Sequence, residues 1–128
     1  MEWVDAKTII KIKISISTDV NSPKSSYRII SAIDTKCYKY DYHGDLGFIV
    51  PIGASVDIQI PFSMLKKCYE ALKSDSGYDG KYFREHYSKQ ASDHPCHVHT
   101  VGQIFVAADL AVMKNNKYYF IGNRDVVQ

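Results

Sequence analysis

The chain has 128 residues, of which 45% are hydrophobic and 23% charged, and its formal net charge is +2. That length suits one ordinary domain or two small fused halves, and the composition is that of a globular protein, not a disordered or fibrous one. So small a net charge excludes a protein-wide field for a polyanion. Any nucleic-acid contact must therefore rest on where individual cations are placed. Residues 1–60 carry 7 Lys and Arg against 7 Asp and Glu, and residues 61–128 carry 9 against 7.

Cys37, Cys68 and Cys96 are odd in number and widely spaced. They read as free thiols in a reducing compartment and not as a disulfide framework. The N-terminus alternates Ile with Lys and holds no signal-peptide core, and no stretch is apolar enough to span a bilayer. The expectation is a cytoplasmic protein with no membrane partner.

The first 60 residues have a period of two. In TIIKIKISIS (8–17), Ile10, Ile12, Ile14 and Ile16 alternate with Lys11, Lys13, Ser15 and Ser17, which predicts a half-buried strand. TDVNSPKSS is a loop by composition. YRIISAI (27–33) predicts a second strand, and CYKYDY (37–42) a third with Tyr38, Tyr40 and Tyr42 on one face. HGD turns the chain. LGFIVPIG (46–53), ended by Pro51, and SVDIQI (55–60), with Val56, Ile58 and Ile60 inward, predict the fourth and fifth. Short linkers make such strands antiparallel neighbours.

The period changes at Pro61. In PFSMLKKCYEALKSD, Met64, Leu65, Cys68, Ala71 and Leu72 share one helical face. DGKYFREHYSKQ predicts a second helix, capped by Asp79, with Phe83, His86 and Tyr87 inward. A third helix is expected from SDHP to Ala108. Ser92 or Asp93 would cap it, Pro95 would sit in its first turn, and Val98, Val101, Ile104, Phe105 and Ala108 would face the core. LAVMKNNKYYFIG predicts a hairpin with its turn at the asparagines. The expected fold class is thus α+β. An N-terminal antiparallel β-sheet of about five strands (1–60) packs on a C-terminal unit (61–128) of three helices plus a β-hairpin.

Residues 61–122, and HTVGQIFVAADLAVMKNNKYYF above all, resemble the winged helix-turn-helix superfamily in element order and apolar spacing. The resemblance implies that the helix Pro95–Ala108 lies in a DNA major groove and that the wing tip, Lys114–Lys117, touches the backbone. Winged helices also serve as protein-interaction modules, so the chemistry of the exposed face must decide.

That face begins in ASDHPCHVHTVGQ (91–103), which packs three histidines and a cysteine into six positions. On a helix Cys96 and His99 share one face and His94 and His97 another, so the four cannot converge on one ion. A zinc site would need one of those pairs completed by Cys68, His86 or His43. Cys96, in a first turn near His99, could be an activated thiol, but no third group orients the pair. With the apolar residues inward, His97, His99, Thr100 and Gln103 face outward, hydrogen-bonding groups without carboxylates that suit base edges and phosphates. Lys81, Arg84 and Lys89 on the second helix, and Lys114, Asn115, Asn116 and Lys117 on the wing, could hold phosphates on either side. Tyr38, Tyr40 and Tyr42 could stack bases, although such a stripe more often packs on a neighbour. No phosphate-binding Gly loop or nucleophile elbow appears, and no cofactor is implied.

The leading expectation is a protein, of regulatory type, that binds double-stranded DNA. The alternative is a protein-interaction adaptor working through the helical unit or the sheet, which could also self-associate. The third is a metal- or thiol-dependent enzyme built on the His94–His99 cluster.

Overall fold

The computed structural model describes residues 1–22 and 28–121. Its elements run α1 (Trp3–Lys13), β1 (Ala32–Cys37), β2 (Asp45–Pro51), β3 (Asp57–Pro61), α2 (Phe62–Lys73), α3 (Gly80–His86), α4 (Ser88–Asp93), α5 (His97–Ala107), β4 (Ala111–Lys114) and β5 (Lys117–Phe120). Among the described residues, β1-β2-β3 form one antiparallel sheet and β4-β5 a separate hairpin. The fold is mixed α/β. The expected five-stranded N-terminal sheet packed on a winged helix of three helices and a hairpin is corrected on two counts. Among the described residues the chain opens with a helix, its N-terminal sheet has three strands, and four helices, not three, lie between that sheet and the hairpin.

The largest correction is TIIKIKISIS, which is helical to Lys13. Its Ile/Lys alternation is real, but a second pattern overlaps it. Ala6, Ile10 and Ile14 recur every four residues, and with Trp3 and Ile9 they form a helical stripe that packs on α2 and α5. The competing residues lose: Ile10 is fully buried, whereas Ile12 is 75% exposed and Ile16 58%. After Lys13 the chain turns, with Ser17 at φ 77° and the Ser15 amide donating to the Thr18 hydroxyl at 2.9 Å.

The second expected strand contributes an isolated bridge, Ile29 to Asp19, and its last residues enter β1; Tyr27 lies outside the described residues. CYKYDY is a turn. Tyr40 has φ 53°, the Tyr42 amide donates to the Lys39 carbonyl at 3.2 Å, and the Gly44 amide returns to Cys37 at 2.8 Å. Tyr38 is therefore exposed and Tyr42 buried, so the three tyrosines share no face that could stack bases. β2 runs the length of β3, pairing Gly47 with Pro61 and Pro51 with Asp57. Phe48 and Phe62 meet edge-on at 5.3 Å where the sheet hands over to α2.

Buried side chains from both halves form one cluster, from Ala6 and Ile10 through Phe48 and Ile60 to Leu65, Phe105 and Tyr118. Tyr69 sits where the layers meet, with Trp3, Phe105 and Phe120 at 5.6, 6.3 and 5.8 Å. The expected second helix is broken at Tyr87 (φ −137°, ψ 55°) into α3 and α4. The break reorients α4, whose buried Gln90 donates to the Tyr42 hydroxyl at 3.3 Å. Ser92 and Asp93 therefore end α4 instead of capping α5, and Pro95 precedes α5, whose N-cap is Cys96.

Helix and strand assign different weights to the isoleucines of this first segment. Ile10→Ala should cost about 2–5 kcal/mol, the cavity cost of a buried aliphatic. Ile12→Ser should stay within about 0.5 kcal/mol. Urea unfolding of the two variants checks this, and equal losses at both positions would contradict the helix.

Candidate functional site

The hairpin is held in place by Tyr118. Its backbone exchanges two 2.9 Å hydrogen bonds with Tyr78, just before α3, forming an antiparallel bridge. Gly77, at φ 74°, makes the turn into that bridge, and a side chain there would run into the Tyr118 carbonyl and the Tyr119 ring. On its other side the fully buried Tyr118 ring packs against α5 at Gly102, where any β-carbon would overlap it. Gln103 Nε2 donates to the Tyr118 hydroxyl at 3.2 Å, and the same hydroxyl is hydrogen-bonded to His99 Nδ1 at 2.9 Å.

This docking brings the hairpin turn beside the starts of α3 and α5. An open concavity of about 360 Å³ results, lined by Lys81, Arg84, His99, Asn115, Asn116 and Lys117, with Asp79 at its edge. Six of the residues named from sequence as phosphate or base contacts thus converge. Asn115 and Asn116 hold φ 52° and 67°, the left-handed pair a two-residue hairpin turn requires. Lys114 lies next door, beside Lys117 and Tyr119. Lys89 does not join them. It sits on α4 over the Tyr40 ring, at 6.0 Å, and borders a different depression with Asp41 and His86.

Of the four side chains expected to face outward on α5, two are buried and two are half-buried. His97 is 1% exposed and Thr100 3%, and no residue of the helix is classed as exposed. His97 Nδ1 donates to the His94 carbonyl at 2.8 Å and its ring stacks on Phe83 at 5.6 Å. Thr100 Oγ1 donates back to the Cys96 carbonyl at 2.9 Å. His99 and Gln103 are engaged by Tyr118. Only His99, Gln103, Val106 and Ala107 of this helix are half-buried, and its remaining residues are buried.

The histidine cluster is likewise dispersed. Among the described residues no three His, Cys, Asp or Glu side chains gather as a metal set. The Cys96 thiol is pushed up from its ordinary range by burial, with the Arg28 guanidinium only partly opposing, which is the reverse of an activated nucleophile. Sequence reasoning missed the second role of Asp79. One oxygen caps α3 by accepting the Tyr82 amide at 3.0 Å, and the other pairs with Lys117 at 3.5 Å. It also missed Gly102 and Tyr118, for which a glycine inside a strong helical pattern was the available signal.

Two consequences can be measured. Gly102→Ala should destabilise by about 1–3 kcal/mol in urea unfolding, because the Tyr118 ring must move. Burial, chiefly, lowers the His97 pKa to about 4 from the ordinary 6.5. Between those values the unfolded chain takes up a proton that the native one refuses, so stability falls as pH falls through this window. The loss should reach about 3 kcal/mol near pH 4. His97→Leu should remove that part of the pH dependence, and an unchanged profile would overturn the assignment. No protein-family model matches the chain, and no curated protein or solved structure matches it significantly.

Proposed function

We propose that the protein binds the phosphate backbone of double-stranded DNA through the concavity at the hairpin turn, without reading bases through a helix. The observation that carries this is the convergence of Lys81 and Arg84 with the Asn115–Asn116 turn on one open surface. Among the described residues neither Lys81 nor Arg84 makes an ion pair, so both remain available to an anion. Asparagine amides at the turn can donate to phosphate oxygens as well. The burial of α5 supports a backbone-only mode, since its polar groups are spent inside the fold.

Contacts of this kind bind by releasing counterions, so affinity falls with salt and depends little on sequence. Wild-type protein should bind random duplex at about 50 mM salt and weaken steeply towards about 200 mM. Lys81→Ala combined with Arg84→Ala should flatten the slope of log K against log salt by about 2, while Lys36→Ala with Lys66→Ala, remote exposed cations, should leave it unchanged. Gln103→Ala should lower stability by about 1 kcal/mol through loss of its bond to Tyr118, with no change in preference among sequences. No duplex binding at low salt, or equal binding by the Lys81/Arg84 variant, would refute the reading.

A further inference from the structure

Lys117 stands in the same concavity as Lys81 and Arg84, but its charge is already engaged. Its Nζ lies 3.5 Å from Asp79 Oδ2 and donates to the Ser76 carbonyl at 3.3 Å. Asp79, Lys81 and Lys117 also line the adjoining depression, which continues past them to Glu70 and Glu85. The surface is therefore one groove of divided polarity. Arg84 and the hairpin turn lie at one end, carboxylates at the other, and the Asp79–Lys117 pair stands at the junction.

We propose that Asp79 limits the affinity and salt dependence of anion binding here, by holding Lys117 in an internal ion pair that an incoming phosphate must displace. The inference rests on the phosphate-binding reading of this concavity. Both partners are partly exposed, so water already screens the pair and a phosphate can exchange for the carboxylate without opening the core. The exchange balances in charge: Lys117 trades one anion for another, and Asp79 returns to solvent while its other oxygen goes on capping α3. While the pair persists, Lys117 neutralises no phosphate and therefore adds no counterion release. Glu70 and Glu85 extend the same effect, repelling a backbone that runs past the junction and directing it towards Arg84 and the turn.

Asn caps helices as well as Asp does, so Asp79→Asn should preserve α3 while removing the competitor. The expected result is an additional phosphate contact: the slope of log K against log salt steepens by about 0.9, which at about 0.1 M salt is roughly an eightfold gain in affinity for a random duplex. Lys117→Ala should abolish the gain in the Asp79→Asn background. Glu85→Gln is the control for a general change of field, and should give a smaller gain that does not depend on Lys117. Circular dichroism and a urea midpoint verify that each variant is folded. If Asp79→Asn binds no better than a wild type that does bind, or if Glu85→Gln matches its gain, Asp79 is not the limiting group. If neither wild type nor Asp79→Asn binds duplex at any salt, the phosphate-binding reading falls and takes this inference with it.

Discussion

A flat aromatic ring on a helix needs a position with no side chain beneath it. Gly102 supplies that position for Tyr118, and the hairpin, the bridge to Tyr78 and the geometry of the concavity all follow from the contact. A glycine inside a helix costs about 1 kcal/mol relative to alanine, and burying a tyrosine ring with its hydroxyl satisfied more than offsets that. The hydroxyl is satisfied twice, by Gln103 and by His99, so ring and helix are held by polar as well as apolar contact. With the ring seated, β4 and β5 have only one place to lie, and their turn is carried to the start of α3.

The same packing shapes the binding mode proposed for the molecule. α5 carries no Lys, Arg, Asp or Glu, and that absence reports burial: α1, α3, α4 and the hairpin enclose it. Small polar side chains on such a helix are tolerable because each finds a partner within reach, Thr100 in the preceding turn and His97 in the His94 carbonyl. In the proposed reading, anion recognition falls to side chains at the rim, Lys81, Arg84 and the asparagine turn, in front of a largely buried helix. The exposed apolar residues Val4, Ile12 and Ile16, at α1 and just beyond it, are the observation nearest to the adaptor reading. No helix among the described residues is long and apolar enough to cross a membrane.

Where one periodicity acted alone, the sequence by itself determined the local structure. α2 lies under Met64, Leu65, Cys68 and Leu72, β2 and β3 lie where apolar runs end in Pro or Gly, Asp79 caps α3, and two asparagines turn the hairpin. These features depend on neighbours within a few residues, so local chemistry suffices to reveal them. The cations of the candidate site were legible for the same reason, since charged side chains that cannot be buried mark the surface wherever the chain goes. Only the tertiary structure decided between two periods written over one another, as in residues 6–16, where the helical stripe Ala6, Ile10, Ile14 wins because α2 and α5 offer it a surface and nothing offers Ile12 one. The apolar spacing of α5 placed Val98, Val101, Ile104, Phe105 and Ala108 inside, but the tertiary structure alone decided that His97 and Thr100 are buried as well, because small polar side chains on a helix without charge give no clue to their exposure. The tertiary structure also brought Asp79 against Lys117 across 38 positions of chain, a pairing that no spacing rule anticipates because the backbone bridge from Tyr78 to Tyr118 creates it.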